Sequence, residues 1–361
     1  MSKGTKICLS ILLAIILALV GFAGGFIVNV FILNKQESDK FVSGELSIHF
    51  LELGNKYTGD SIFIQCGEYD ILVDAGSRQN SATTIINYVD QYVTDNTLEF
   101  VVATHADQDH IAAFPSTKSR EGIFEHYKVE TIIDFPLTDK NSETYNDYIS
   151  YRDKEVKNGA KRYSALECYN NQNGAQRIYE LTSGVELEIL YNVYYEQRHS
   201  DENNYSVCFM INQGDNHYLF TGDLEEEGEE NLVEYYAQNH GGLPHCVLYK
   251  AGHHGSKTSS TQTLLNAITP EYVCVCCCAG SDEYTDTMEN QFPTKKMIQN
   301  VSEHTDNIYV TSMVNDAGEA VSMNGNIVFT VNVSKITVEC SNNNTILKDT
   351  DWFKQRYPSG V

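Results

Sequence analysis

The sequence predicts an α+β fold: a four-layer αββα sandwich in which helices cover two packed β-sheets, preceded by a transmembrane helix. Three observations lead to this prediction. The chain starts with one long apolar segment, its remainder contains two strand-rich halves, and helical patterns separate and follow those halves. Two sheets that pack face to face with helices outside can bury the apolar face of each element. No internal repeat divides the remainder, so we expect one globular domain.

The apolar segment at the amino terminus is the predicted membrane anchor. Residues 7–28 contain no charged side chain, and this length is sufficient for a helix to cross a bilayer. Two lysines precede it, as in the basic start of a signal peptide, and residues 21–23 offer a conceivable cleavage site. Because the apolar stretch continues well beyond that point, we favour an uncleaved anchor at 1–34 over a signal sequence, followed by a linker at 35–44. We expect a single-pass protein of the cell membrane with an extracytoplasmic domain.

The folded domain is predicted over residues 45–340, with residues 341–361 left as a carboxy-terminal tail. Alternating apolar residues indicate strands, and a 3.6-residue apolar period indicates helices. Strands are expected at 46–51, 61–66, 69–73, 100–103, 129–133, 185–191, 205–211, 217–221, 245–250 and 271–278, and helices at 81–93, 143–156, 229–239 and 294–303. Short strands are expected after the last helix, and the stretch 157–180 has the least regular pattern.

The charge balance of the domain is strongly acidic. The first 34 residues carry two lysines and no acidic residue, so the rest of the chain holds 23 basic and 49 acidic side chains, a net charge of −26. Such a surface repels nucleic acid unless a local groove or bound metal ions offset the repulsion. Nucleic acid is therefore a possible but disfavoured partner, and the charge counts against tight, non-specific DNA binding.

The ten cysteines suggest disulfide bonds, but their positions argue against this interpretation. Four of them lie in one strand-like run: Cys274, Cys276, Cys277 and Cys278. Thiols so close together along a strand pair poorly with one another, and the run lacks the CxxC loop of a soft-metal site. We interpret them as small apolar side chains of a core strand.

The most informative motif is Thr-His-Ala-Asp-Gln-Asp-His at residues 104–110. It follows the apolar strand at 100–103 and supplies four potential metal ligands: His105, Asp107, Asp109 and His110. Alternate residues of an extended chain point the same way, so the first three share one side and His110 follows as the chain turns. Imidazole and carboxylate suit Zn²⁺, Mn²⁺ or Fe²⁺, and two such ions can hold a hydroxide nucleophile. An Asp-rich turn that caps a helix is the alternative, but it explains neither the histidines nor their spacing.

Two later strand ends supply further candidate ligands. The apolar strand at 217–221 is followed by Asp223, whose carboxylate can bridge two cations. The alternative is that Asp223 only starts the acidic helix behind it, and we favour the ligand role. After the strand at 245–250, His253 and His254 lie between glycines. One imidazole can complete a metal shell while its neighbour faces the substrate.

Taken in order, these strand ends resemble the motifs of the metallo-β-lactamase superfamily. The motifs are Asp74-Ala75-Gly76, His105-x-Asp107-x-Asp109-His110, Thr221-Gly222-Asp223 and His253-His254-Gly255-Ser256. The HxDxDH variant and the HHGS ending resemble the ComEC-type branch, the hydrolase domain of DNA-uptake proteins and its stand-alone relatives. The resemblance covers about residues 45–332 and implies the αββα metallo-β-lactamase sandwich and a two-metal hydrolase. It implies that the first metal binds His105 and Asp107, that the second binds Asp109, His110 and His254 (chosen over His253), and that Asp223 bridges them.

The sequence departs from the family pattern at two places. Most members carry a histidine between the first motif and the bridging aspartate, where this chain has Asn203 and Asn204, and we interpret the nearby His199 as a surface residue. ComEC-type relatives also tend to carry an Asn…His-Pro segment, in which this chain has Phe292 instead of the histidine. With Asp107 in place of a histidine, the first metal has harder and weaker ligands. Two divalent ions, Mn²⁺ or loosely held Zn²⁺, are therefore the expected cofactors.

The function expected from this site is hydrolysis by a metal-bound hydroxide. Asp109 is expected to orient the water, and His253 to protonate the leaving group or to bind the oxyanion. The favoured substrates are phosphodiesters of a small molecule or a polymer, such as nucleic acid or a phosphorylated envelope polymer. The alternatives are an ester, lactone or β-lactam hydrolase of the same fold, and a non-catalytic metal-binding interaction module.

Overall fold

A computed structural model describes residues 46–332 and 335–361 of the chain. The predicted anchor at 1–34 and the linker at 35–44 lie outside the described residues. Within the described ranges, no helix is long and apolar enough to cross a membrane. The sixteen strands of these ranges, numbered in chain order, form two eight-stranded sheets.

The first sheet combines strands from both ends of the domain. Its members are β1 (Leu46–Phe50), β2 (Ile62–Cys66), β3 (Tyr69–Val73), β4 (Thr97–Ala103), β5 (Lys128–Asp134), β6 (Lys161–Ser164), β15 (Ile327–Asn332) and β16 (Lys335–Cys340). They lie in the order β16-β15-β1-β2-β3-β4-β5-β6. The strands from β3 to β6 are parallel and the others pair antiparallel. The carboxyl ends of the parallel strands therefore meet at one edge of the sheet.

The second sheet is continuous in sequence order. Its members are β7 (Ile178–Thr182), β8 (Val185–Ile189), β9 (Phe209–Gln213), β10 (Asn216–Phe220), β11 (Leu248–Lys250), β12 (Tyr272–Ala279), β13 (Ile308–Val314) and β14 (Ala320–Ser322). They lie in the order β14-β13-β12-β11-β10-β9-β8-β7. The strands from β10 to β13 are parallel, so their carboxyl ends also share one edge.

Helices cover both sheets. They are α1 (Ser81–Val89), α2 (Gln108–Ile111), α3 (Ile123–His126), α4 (Glu143–Asn158), α5 (Ala165–Tyr169), α6 (Glu226–Asn239), α7 (Gln262–Ile268), α8 (Lys295–Ser302) and α9 (Asp351–Arg356). Ile85 and Val89 of α1 are buried in the apolar cluster that contains the first sheet. Leu232 of α6, Leu264 of α7 and Met297 of α8 are buried against the second sheet.

The two sheets pack on each other through aromatic side chains. Phe50 of β1 stacks on Phe220 of β10 with ring centroids 6.4 Å apart, and Phe100 of β4 contacts Tyr179 of β7 at 5.1 Å. Because successive residues of a strand point to opposite faces, the other face of each sheet is available to the helices. The layers are helices, sheet, sheet and helices, and the predicted αββα sandwich is confirmed.

The cysteine-rich run forms β12, in the middle of the second sheet. Its four cysteines are buried, and the cysteines of the described ranges are free thiols. Burial raises the pKa of each of the four, so they are uncharged at neutral pH. Their interpretation as small apolar residues of a core strand is confirmed.

The strand expected at 205–211 begins only at Phe209. The preceding residues follow a different path because the Asn192 side chain donates hydrogen bonds to the carbonyl oxygens of Asn204 at 2.8 Å and Ser206 at 3.1 Å. The Asn192 side chain thus takes the position that a neighbouring strand would occupy at these carbonyls. Apolar alternation alone does not reveal such a competitor for the backbone.

Two segments without a clear sequence pattern form regular structure. The stretch 157–180 contains β6, α5 and the start of β7, and a capping box between Ser164 and Glu167 starts α5. In the tail at 341–361, α9 buries Phe353 against the second sheet. The tail thus packs on the domain rather than extending from it.

Candidate metal centre

The candidate site lies where strands from both sheets end. These are the ends of β4 at Ala103, β10 at Phe220 and β11 at Lys250. Backbone hydrogen bonds join the loops that follow: the His253 N–H donates to Gly222 O at 3.3 Å, and the Ala75 N–H donates to His110 O at 2.7 Å. The side chains of separate strand ends therefore converge on one volume.

Three residues of the site have left-handed backbone. The angle φ is 57° at Asp74, 44° at His253 and 54° at His254. This conformation costs about 1–2 kcal/mol for a residue with a Cβ, and such strain is typical of functional sites. Gly255, with φ of 83°, passes Pro293 so closely that a Cβ would lie 2.9 Å from the proline Cβ. The histidine loop is thus held in its shape by the structure around it.

His110, Asp223 and His254 form the closed half of the site, and all three are buried. His110 Nε2 lies 3.1 Å from Asp223 Oδ2 and 3.2 Å from His254 Nε2, and His254 Nε2 lies 3.0 Å from Asp223 Oδ2. Two ligands of a tetrahedral zinc ion, at bond lengths of about 2.0–2.1 Å, are about 3.3 Å apart. The three donor atoms therefore have nearly the spacing of one face of a tetrahedral metal site.

Neighbouring groups turn both imidazoles of the closed half so that Nε2 faces the centre. His110 Nδ1 lies 2.7 Å from Asp74 Oδ2, and His254 Nδ1 lies 3.1 Å from the Cys276 carbonyl oxygen. A proton on Nδ1, donated to these oxygens, leaves the Nε2 lone pair for a metal. Asp74 is itself fixed by the N–H and the hydroxyl of Thr104, both at 2.8 Å.

His105 presents a third imidazole nitrogen to the same interior. Its Nδ1 lies 3.1 Å from Thr104 Oγ1, whereas its buried Nε2 has no hydrogen-bond partner in the part of the chain described. A buried polar atom without a partner destabilises the folded state unless something else binds it. Burial lowers the pKa of His105, which favours the neutral form that binds metals. The nitrogen atoms and carboxylates present therefore fit a divalent metal ion.

His105 and Asp107 form the open half of the site. The Asp107 side chain is 25% exposed and pairs with Lys140, and its Oδ2 lies 3.8 Å from His105 Nε2. Asp107 and Lys140 line an open pocket of about 490 Å³ together with His199 and Glu202. Because its carboxylate already binds an ammonium group, Asp107 has less negative charge to offer a metal than the buried carboxylates of the site.

Asp109 and His253 lie on the more exposed side of the cluster. Asp109 Oδ2 is 3.5 Å from His254 Nε2 and accepts a hydrogen bond from the Tyr284 hydroxyl at 3.1 Å. His253 Nδ1 lies 2.6 Å from Glu225 Oε1, and its side chain is 24% exposed. The structure thus brings His254 into the closed half and leaves His253 outside it.

Sequence reasoning missed two buried residues of the site, Asp60 and Lys250. They form an ion pair; Asp60 Oδ1 lies 3.0 Å from His254 Nδ1, and Lys250 Nζ lies 3.3 Å from Asp223 Oδ1. One donor atom from each of Asp60, His110, Asp223 and His254 lies within 4.8 Å of the others, so Asp60 is a further candidate ligand. Since Lys250 pairs with it and His254 Nδ1 faces it, we interpret Asp60 as a group that orients His254. In the sequence, each of the two residues is a charged side chain next to an apolar strand. Asp60 precedes β2 by two positions, and Lys250 is the last residue of β11.

The charges of the closed half depend on one another. Burial disfavours a charged imidazole, but Asp223 and Asp74 outweigh it and hold the pKa of His110 well above its usual value. Asp223 and Asp60 act on His254 in the same way and raise its pKa against the effect of burial. Burial would raise the pKa of Asp223, but His110 and His254 overcome it and hold that pKa well below its usual value. The ionised carboxylates therefore attract positive charge into this interior.

The asparagines at the position of the expected histidine contact Glu225. Asn204 Oδ1 accepts the Glu225 N–H at 3.3 Å, and Asn203 Nδ2 donates to Glu225 Oε1 at 3.2 Å. His199 pairs with Glu227 at 3.3 Å. These residues therefore stabilise the loop beside the site, and the structure does not bring His199 to His105.

Sequence comparisons find proteins similar to this chain in Neisseria gonorrhoeae and Bacillus subtilis. A profile of the Metallo-beta-lactamase superfamily matches residues 54–175. Competence protein ComA of Neisseria gonorrhoeae is 35% identical over 121 residues, which are 34% of this chain and 16% of that protein. ComE operon protein 3 of Bacillus subtilis (strain 168) is 25% identical over 213 residues, which are 58% of this chain and 23% of that protein. The chain thus spans less than a quarter of the length of either relative.

Among solved structures, a similar chain is the metallo-beta-lactamase fold protein YhfI from Bacillus subtilis. The match covers 79% of this chain and 99% of that one. The TM-score is 0.45 and the sequence identity is 11%.

Proposed function

Because this chain contains a metallo-β-lactamase domain of the ComEC-like branch, we propose that it hydrolyses phosphodiesters with two bound divalent ions. The observation that supports this proposal is the triangle of donor atoms in the closed half, with edges of 3.0 to 3.2 Å, beside the unpartnered Nε2 of His105. In this proposal Asp109, His110 and His254 hold one ion, His105 and Asp107 hold the other, and Asp223 is shared.

In this proposal the two residues on the exposed side of the cluster, Asp109 and His253, position the attacking water and the leaving group. Mn²⁺ or Zn²⁺, if held by these residues, would supply a water of lowered pKa and would polarise the scissile phosphoryl group. Asp109, fixed by the Tyr284 hydroxyl, orients that water. Water would add to phosphorus and release a proton to solvent, one P–O ester bond would break, and His253 would give a proton to the leaving oxygen while Glu225 holds its Nδ1. His253 would then take up a proton from solvent before the next turnover. The products are a phosphomonoester and an alcohol.

The substrate class follows from ligand chemistry and charge. The carboxylates of Asp107, Asp109 and Asp223 are hard ligands, which suit Mn²⁺ as well as Zn²⁺ and favour phosphoryl substrates. The net charge of −26 beyond the first 34 residues disfavours long polyanions. We therefore favour a small or short phosphodiester over long nucleic acid. We also propose that the protein acts at the outer side of the cell membrane.

A second candidate function is a metal-binding interaction module without turnover. The observation that favours it is the ion pair between Asp107 and Lys140, which engages a proposed metal ligand. The two candidates share a bound metal and differ in whether a substrate is converted.

Metal content and turnover of the purified full chain test both candidates. We expect about two metal ions per chain and hydrolysis of bis(p-nitrophenyl) phosphate in the presence of Mn²⁺ or Zn²⁺. Asp109→Ala should lower kcat by about 10²-fold or more, because it removes the carboxylate that is proposed to bind one ion and to orient the water. The matched control is Asp215→Ala, at an exposed turn between β9 and β10, which should leave kcat unchanged. Metal without turnover would favour the interaction module or an ester or lactone substrate, and absence of metal would contradict both candidates.

A further inference from the structure

Two loops that reach the candidate metal site, one through Asp60 and the other through Tyr284, carry exposed hydrophobic side chains. Six large hydrophobic side chains are exposed in the described ranges, and Tyr57, Tyr284 and Met288 are three of them. They belong to two loops, residues 51–61 before β2 and residues 280–292 after β12. Single exposed hydrophobic residues are common, but a group of them beside polar residues is typical of a binding surface.

Tyr284 connects this surface with the metal site. Its hydroxyl donates to Asp109 Oδ2 at 3.1 Å, and its ring packs on Phe292 with centroids 5.4 Å apart. Phe292 in turn lies 5.7 Å from the His253 ring and 6.2 Å from the His254 ring. Because Phe292 supports one side of Tyr284 while the residue is 58% exposed, Tyr284 presents an open ring next to the proposed reaction centre.

Glu283 fixes the two loops to each other. Its Oε2 accepts the Thr58 N–H at 2.7 Å, and its Oε1 binds Arg78 Nη2 at 2.7 Å. The Arg78 guanidinium also lies over the Tyr57 ring, 4.1 Å from its centroid. Rings that are held in place before a ligand arrives lose little conformational freedom on binding.

The charges beside these rings do not favour a polyanion. Lys56 is the only cationic residue within the two loops, and it pairs with Asp282 at 3.9 Å. Arg78 pairs with Glu283 at 2.7 Å. An aliphatic phosphate polymer would have to displace Asp282 from Lys56 or Glu283 from Arg78 before it could pair with either cation. A planar ring can stack on tyrosine whatever the surrounding charge.

We propose that Tyr57, Tyr284 and Phe292 form an aromatic rim that binds the base of a nucleotide-containing phosphodiester while its phosphate lies at the metal site. This inference rests on the proposed phosphodiesterase function, and it narrows the substrate from phosphodiesters in general to short nucleotides. Tyr284 provides the open stacking face and Phe292 supports it. Tyr57 lies on the first loop, and Arg78 connects its ring to Glu283 of the second loop.

Ligand binding to the Mn²⁺-supplemented full chain tests the aromatic rim independently of turnover. Isothermal titration calorimetry with adenosine 5′-monophosphate and with glycerol 1-phosphate compares the same charged group with and without a base. We expect the nucleotide to bind about tenfold tighter or more. Tyr284→Ala should remove most of this preference and Tyr57→Ala part of it, whereas Tyr284→Phe should keep it because the ring remains. Ile178→Ala, at an exposed hydrophobic residue of β7, is the matched control and should also keep it.

Two results would overturn the aromatic rim. One is equal affinity of the unmodified chain for the two ligands, and the other is an unchanged preference in Tyr284→Ala. A preference for the nucleotide in a chain that does not hydrolyse bis(p-nitrophenyl) phosphate would support the rim and refute the phosphodiesterase. Turnover of bis(p-nitrophenyl) phosphate without a preference for the nucleotide would support the phosphodiesterase and refute the rim.

Discussion

The closed and open halves of the candidate metal site each take a histidine from the motif at 104–110 but differ in their surroundings. In the closed half, His110 is buried and its Nδ1 is fixed by Asp74 at 2.7 Å. In the open half, His105 Nε2 lacks a hydrogen-bond partner among the residues described, and Asp107 is 25% exposed and shared with Lys140. The ligand types are the same, imidazole and carboxylate. The groups behind the ligands therefore distinguish the two halves, and they set how readily each half can bind a metal.

This contrast implies an order of metal binding. The donor atoms of the closed half already have nearly tetrahedral spacing, so binding there requires little movement. In the open half, a metal has to compete with an ammonium group for Asp107. We therefore expect the closed half to fill first and the open half to exchange its ion more readily.

The largest expected effect is that of Asp223→Ala. Asp223 Oδ2 lies 3.1 Å from His110 and 3.0 Å from His254, and the proposal makes this carboxylate common to both halves. We expect both ions to be lost and kcat to fall by more than the about 10–100-fold that is typical of removing a group behind a ligand. Elemental analysis of the purified variant measures the metal content, with Asp215→Ala as the control. Retention of one ion per chain would show that Asp223 serves a single half only.

A smaller and more selective effect is expected from Asp74→Asn. This change weakens the acceptor behind His110 Nδ1 while leaving every proposed ligand in place. Metal affinity of the closed half should fall by about 10–100-fold, because the imidazole loses orientation and basicity. Competition for the metal with a chelator whose absorbance changes on binding measures the metal affinity of each of the two steps. If both steps weaken equally, the two halves are not independent and the contrast between them fails.

Removal of metal should make stability depend on pH through the closed half. Carboxylates outweigh burial and raise the pKa values of His110 and His254 above their usual 6.5 in the metal-free chain. A raised pKa means that the folded state binds the proton more tightly than the unfolded state. The resulting stabilisation is complete below pH 6.5 and is lost as the pH rises through the folded-state pKa values. The Tm of chelator-treated protein should therefore fall by several degrees above pH 6.5.

Bound metal should abolish this fall, since it replaces the protons on both imidazoles. His105 does not obscure the effect, because its lowered pKa changes stability only below pH 6.5. Thermal unfolding at several pH values above 6.5, with and without a chelator, provides the measurement. A Tm that rises with pH in the chelator-treated protein would contradict the assignment of excess negative charge to this half.

The sequence predicts the parts of the fold that depend on local pattern. The strand β12 was expected at 271–278 and lies at Tyr272–Ala279, because a continuous apolar run is typical of a strand buried on both faces. The strand β6 was missed because it is polar: Arg162 pairs with the buried Asp134 at 2.5 Å, a contact between strands that no local pattern reveals. The helix α7 was missed because it has only seven residues, although Thr261 caps its start locally by accepting the Leu264 N–H at 3.4 Å. Glu229 adds support from α6, because it accepts the Ser260 N–H at 2.7 Å.

The distinction between local sequence pattern and tertiary contact also applies to the candidate metal site. The motif at 104–110 predicts ligands of both halves, because their spacing is set within one strand end. Asp60 could not be found in this way, since it acts through a contact with His254 that exists only once the sheets have packed. Lys140 was missed for the same reason: its partner Asp107 lies in another loop. Residues that orient or compete with ligands are defined by tertiary contacts and not by spacing along the chain.

The smallest effect is expected from Lys140→Met, and it tests the weakness of the open half directly. Lys140 is 38% exposed, and partly exposed ion pairs contribute about 0–1 kcal/mol, which limits the change in affinity to about fivefold. Because the variant removes both a competitor for Asp107 and a nearby positive charge, the second ion should bind more tightly while the first is unaffected. Lys128→Met, which breaks the exposed pair with Glu130, is the matched control. Weaker binding of the second ion in Lys140→Met would mean that Lys140 holds Asp107 in place for the metal, and the open half would then be organised by its ion pair instead of blocked by it.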